Sequence, residues 1–186
     1  YYFRKSDSLQ AWLFFNDFKF INNKIYWANI DKINIERWRV KKVLVNNNDS
    51  TDNFIIDRKS YADQMFNLNK IPIGYKLINP YIANSYGAML EQLKVQDFIL
   101  KKNIDELKNI RNAKVITFDG TIVNLALYRS NNNNYLEISM SSLLKEREEL
   151  PKDGPKIIGI PRMKTFEEIK KDNNEINFLN NWLYKV

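Results

Sequence analysis

Hydrophobic and polar positions along this 186-residue chain follow two different periods, and the switches between them predict its elements. Ile33, Ile35, Arg37, Arg39, Lys41, Val43 and Val45 share one parity. That suits a strand whose exposed face carries basic residues midway along, with Trp38, Val40 and Leu44 turned the other way. Upstream, residues 12–26 show no clean period and read as an irregular packed lead-in. The tract Asn46-Asn47-Asn48-Asp49-Ser50 predicts a turn, because short amide and carboxylate side chains bond their own backbone and tolerate the left-handed region. Two further strands are predicted at 53–59 and 64–69. Asn79-Pro80 then signals a helix start, with Asn79 able to accept from free first-turn amides and Pro80 losing nothing by its missing N–H. Ile82, Tyr86, Met89, Leu90 and Leu93 fall on one face of a helix running to about Val95, with Gly87 marking a close contact with the sheet. A second helical stretch is predicted over 95–109.

The later part begins with the clearest local signal. Val115-Ile116-Thr117-Phe118 leads into Asp119-Gly120 and then Thr121 onward, a β-hairpin in which Asp-Gly suits a type I′ turn. Asn131 to Asn134 make the next turn, and a third strand alternates Tyr135, Glu137 and Ser139 against Leu136, Ile138 and Met140. Residues 141–150 are charged and helix-prone. Pro151, Gly154, Pro155, Gly159 and Pro161 make an extended connection, and helical spacing returns through Phe166, Ile169, Ile176 and Leu179. Trp182-Leu183-Tyr184-Lys185-Val186 reads as a last strand whose continuation would lie beyond it.

This order, two or three strands and then a helix, twice over, predicts an α+β fold. The expectation is two small antiparallel sheet units, each of two or three strands followed by a packing helix. The first module would span residues 1–110 with its lead-in, and the second residues 111–186.

Composition then removes whole classes of function. The chain has no histidine and no cysteine. Imidazole acid/base chemistry, Ser-His and Cys-His pairs and His/Cys metal sites are therefore excluded. Nucleotide-binding, zinc-protease and nucleophile-elbow motifs are also lacking, so neither a catalytic residue nor a metal or cofactor site is expected. The missing cysteine excludes a disulfide scaffold and leaves a reducing cytosol and a cysteine-poor envelope both open. No run approaches the roughly 18 apolar residues of a membrane span. Tyr1, Tyr2 and Phe3 before Arg4 and Lys5 could form the interfacial end of a removed N-terminal anchor, although an edge strand is the simpler reading.

A net charge of +7 invites a nucleic-acid or anionic-polymer reading. The densest basic group is Arg37, Arg39, Lys41 and Lys42, and Trp38 among them could act as a stacking ring. Two observations argue against it. Lysines outnumber arginines 21 to 8, beside 26 Asn and 22 Ile, which looks like coding bias rather than phosphate recognition. No second aromatic continues a platform, so Trp38 is better read as core. Glu146, Glu148, Glu149, Glu167 and Glu168 lie in charged helical runs with Lys and Arg neighbours, the pattern of a solvated face. Asp49, Asp52 and Asp57 miss the spacing and glycine of a calcium loop.

Three stretches together resemble a known family. They are 29–35, Asn-Ile-Asp-Lys-Ile-Asn-Ile, coupled to Ile71-Pro72-Ile73-Gly74; the hairpin Val115 to Leu125; and the ending Glu175 to Val186 with its Trp182-Leu183-Tyr184. Their order is similar to that of a bacterial envelope domain family of uncharacterised function that includes the auxiliary subunit of gliding-motility ABC transporters. The resemblance covers about residues 30–186. It implies strand-strand-helix modules on the periplasmic side of the inner membrane behind an N-terminal anchor, and an envelope or transporter protein as partner. It brings no catalytic residue with it. The expected function is thus a non-enzymatic, transporter-associated protein-binding module, with a cytoplasmic basic binding domain as the alternative.

Overall fold

A computed structural model describes residues 2–13, 25, 33–47, 53–69, 71, 73–91, 93–104, 106–148, 163–177 and 180–186. Ten strands are described: β1 (Tyr2–Arg4), β2 (Ala11–Leu13), β3 (Val40–Asn47), β4 (Phe54–Asp57), β5 (Asn67–Asn69), β6 (Asp97–Leu100), β7 (Lys108–Thr117), β8 (Thr121–Ser130), β9 (Asn133–Ser142) and β10 (Trp182–Lys185). Two α-helices accompany them, α1 (Ile82–Gly87) and α2 (Phe166–Asn177).

The sheet topology overturns the two-unit expectation. All strands but β1 and β2 join one eight-stranded antiparallel sheet in the order β5-β4-β3-β7-β8-β9-β10-β6. The fold is mainly β, and neither helix closes a separate unit. The joining contact is β3 against β7, from Val40↔Thr117 to Asn47↔Arg111. Kept apart, each small sheet would leave a row of unpaired N–H and C=O groups along an edge strand; paired, the two edges satisfy one another. The strand β6 completes the fusion by crossing to pair with β10 at the far edge.

One face of this sheet is apolar by register. Leu68, Ile56, Val43, Val115, Val123 and Met140 stand opposite one another across six strands. Four of them, Ile56, Val43, Val115 and Val123, are almost completely buried. Ala83 and Leu90 from the α1 region and Ile176 from α2 join the same core cluster. The other face carries Lys114, Asn124 and Ser139 in register. The alternation foreseen in β9 is present, with Leu136, Ile138 and Met140 inside.

Several local expectations are corrected. The common parity from Ile33 to Val45 breaks because Arg37–Arg39 is a 3-10 turn and a bulge shifts the register between Val40 and Lys42. Val40 is therefore buried with Val43 and Val45, and Arg39 is buried rather than displayed. The helix after Asn79-Pro80 spans six residues and ends at Gly87, not Val95. Of its expected face Leu90 is fully buried, Tyr86, Met89 and Leu93 are half-buried and Ile82 is exposed, while Ala83 and Gly87 face inward. Gly87 does mark a close approach, since a Cβ there would run into the Phe66 ring. The second helix over 95–109 is absent among the described residues: Phe98, Ile99 and Leu100 lie in β6, a short apolar run whose periodicity fits either element, and Lys101–Asn103 is a 3-10 turn. Residues 141–148 hold the end of β9 and a 3-10 turn at Leu144–Glu146.

The Asp119-Gly120 hairpin is present, as a three-residue loop 118–120 in which Gly120 alone has positive φ, at 92°. The two-residue turn with both central residues left-handed falls instead at Asn131 (φ 46°) and Asn132 (φ 64°) between Ser130 and Asn133. The expected turn at 48–50, most of the lead-in over 12–26, the connection at 151–161 and Leu179 lie outside the described residues.

Candidate interaction surfaces

A buried polar network sits at the end of the sheet where β3 begins and β7 turns into β8. The Asp119 side chain, fully buried, accepts from Arg39 Nε (2.8 Å), Thr117 Oγ1 (2.6 Å), Thr121 Oγ1 (3.0 Å) and Thr121 N (3.3 Å). Burial by itself would push the Asp119 carboxyl up. The Arg39 guanidinium and the two hydroxyls outweigh it and hold the carboxyl below its ordinary 3.8. Arg147 Nη1 donates to the Asp119 carbonyl (3.2 Å) and the Lys164 carbonyl (2.7 Å), tying the loop to the approach of α2.

A second buried cation lies alongside. Arg58 donates to the carbonyls of Trp38 (2.6 Å), Val40 (2.6 Å) and Asp63 (2.7 Å), and its guanidinium lies 4.9 Å from the Phe66 ring centroid and 5.0 Å from that of Phe118. Burial, with Arg37 nearby, brings it down to about 10. These arginines are thus committed to holding backbone in place.

The structure separates the basic group singled out from the sequence. Arg39 is inside, paired with Asp119 and 3.4 Å from Glu36 Oε2. Trp38 meets Tyr61 edge-on at 5.7 Å, and Tyr61 meets Phe118 edge-on at 5.6 Å, which places Trp38 against a small aromatic core. Arg37, Lys41 and Lys42 are half-buried, with Lys41 Nζ 5.9 Å from the Phe118 ring centroid and Lys42 opposite Asp57 across β3 and β4. No stacking platform is assembled among these residues.

Of the acidic residues, Glu167 is exposed and Glu146 and Glu148 are half-buried, while Glu168, Asp57 and Glu137 are bound into the fold. Glu168 Oε2 accepts from Thr165 N (2.7 Å) and Thr165 Oγ1 from Glu168 N (3.3 Å), a capping box that starts α2. Asp57 accepts from Asn69 Nδ2 at 2.7 Å across two strands. On the polar sheet face Glu137 takes Lys101 Nζ (2.7 Å) and Tyr128 OH (2.8 Å), beside a shallow depression of about 340 Å³ floored by Asn46, Lys114, Asn124 and Ser139. The hydrogen bond to Glu137 raises Lys101 above its ordinary value.

Large apolar side chains also stand exposed on the surface. Comparison with family models, curated proteins and solved structures finds no match. The surface itself shows two concentrations of exposed large side chains. One is the hairpin β1–β2 with Tyr2, Leu9, Trp12 and Leu13; the other is the segment after β5 with Ile73, Tyr75, Ile78, Tyr81 and Ile82. Among the described residues, no helix is long and apolar enough to cross a membrane. The sequence offers Tyr2 as the end of an anchor or part of an edge strand, and it lies in a strand; the other residues of the two surfaces carry no expectation of a site. The signal available was the run from Gln64 to Leu90, in which no Asp or Glu occurs.

Proposed function

We propose that this chain is a non-enzymatic module of the bacterial envelope, on the periplasmic side of the inner membrane, that works by holding a protein partner of the transporter class. The location and the class of partner rest on the family resemblance of the sequence. The observation that supports binding is the hairpin β1–β2, a two-stranded sheet apart from the main one, none of whose strand residues is buried. Trp12 and Leu13 on its second strand are exposed to solvent. A partner that covers those side chains or extends either strand would take them out of water, with Trp12 as the anchor. The buried arginines and the capping glutamate are already used by the fold, which fits a binding role better than turnover.

The test is crosslinking and pull-down of the protein from membranes of its own cells, with identification of what is recovered. A transporter subunit recovered by the natural sequence and lost on changing Trp12→Asp and Leu13→Asp together is the expected result. Equal recovery with and without those changes, or substrate turnover by the purified chain, would refute the reading.

A further inference from the structure

We infer that the segment 73–82 is a membrane-docking loop, which seats Ile73 and Ile78 among the acyl chains of an anionic lipid bilayer. Both isoleucines are fully exposed, at 103% and 104% of their reference area. They stand apart as separate tips. Ile73 precedes Gly74, whose φ of 87° makes a turn and whose absent Cβ would meet nothing within 4 Å. Ile78 precedes Asn79, which fixes the next turn by accepting from Tyr81 N (2.8 Å) on its side chain and from Ile82 N (3.2 Å) on its carbonyl.

The base of the loop is firmly held. Asn84 Oδ1 accepts from Phe66 N at 2.9 Å, and the Phe66 ring packs directly on Gly87, so the start of β5 and α1 are clamped together. Tips of this kind on a braced support can enter an acyl layer without reorganising the fold. Tyr75 and Tyr81, both exposed, carry an apolar ring with a polar end, the character that favours the headgroup level.

Charge selects the lipid. From Gln64 to Leu90 the only charged residues are Lys70 and Lys76, and the chain carries +7. No carboxylate in that stretch would be pressed against anionic headgroups, and the exposed Lys76 would be drawn to them. Apolar insertion and electrostatic attraction add in such contacts, giving reversible docking. The inference does not depend on the protein-partner reading, because it concerns a different surface and is read out by lipid alone.

The chain has no cysteine, so Ile78→Cys can carry a single environment-sensitive fluorophore, with Asn131→Cys in the β8–β9 turn as control. Vesicles of phosphatidylcholine with about 30 mol% phosphatidylglycerol should blue-shift and brighten the label at 78 and leave that at 131 unchanged. In sedimentation, the unlabelled chain should bind these vesicles at least about tenfold better than the Ile73→Asp, Ile78→Asp double variant. Binding should also weaken with phosphatidylcholine alone and as salt rises to about 0.5 M. Both substitutions lie at exposed sites, and an unchanged melting curve confirms the fold. Equal sedimentation of chain and variant with no change at 78 would overturn the inference. So would a shift at 78 that needs only higher protein concentration, which would assign the loop to a second copy, or one that needs an added envelope protein.

Discussion

Replacing Asp119 with alanine removes the acceptor of four hydrogen bonds from a fully buried position, and among the described residues leaves the Arg39 guanidinium inside with only Glu36 and Thr121, each at 3.4 Å, to receive it. Removing one partner of a buried pair costs about 3 to 5 kcal/mol, chiefly because the other charge stays desolvated. For a domain of this size that corresponds to a fall in Tm of roughly 6 to 20 °C. Urea unfolding followed by tryptophan fluorescence measures it directly. The effect should depend on pH in a definite direction. Asp119 has a folded-state value below its ordinary 3.8, so its contribution is fully present above about pH 4. It is lost as pH falls through the lower, folded value. The difference in stability between the natural chain and Asp119→Ala should therefore be constant near neutrality and shrink below about pH 4. Changing Arg39→Met together with Asp119→Leu should recover much of the loss, since neither charge is then stranded. A cost for Asp119→Ala below about 1 kcal/mol, or a difference that grows in acid, would refute this account of the site.

Leu90→Ala should destabilise the chain by about 2 to 5 kcal/mol, because Leu90 is buried in the main core cluster; a calorimetric loss under half of the lower figure would mean the site can collapse. Gly87→Ala should cost about 1 to 3 kcal/mol despite alanine's better helix propensity, since its Cβ meets a Phe66 ring already held beneath Arg58, and denaturant titration reads the sign.

Some of this protein was legible along the chain because the deciding physics is local. The alternation in β9, the Asp-Gly hairpin and the helical spacing of α2 each rest on contacts between near neighbours in sequence. The parity argument from Ile33 failed at a bulge, which is set by how β3 meets β7 rather than by β3 alone. The short run Phe98-Ile99-Leu100 could have been either element, and only the free edge of β10 makes it a strand.

Arg39 shows the same division for the polar residues. Read along the chain it belongs to a basic cluster; its partner Asp119 lies 80 positions away, and only the β3–β7 pairing brings the two together out of water. The sequence by itself determined the absence of imidazole and thiol chemistry, the positive charge, the acid-free stretch from Gln64 to Leu90 and the strands of the later hairpins, all of which are properties of composition or of adjacent residues. The tertiary structure alone decided that two strand groups share one sheet, that Arg39 is interior and that Ile73 and Ile78 stand in solvent, because backbone edges and burial depend on residues far apart in the chain.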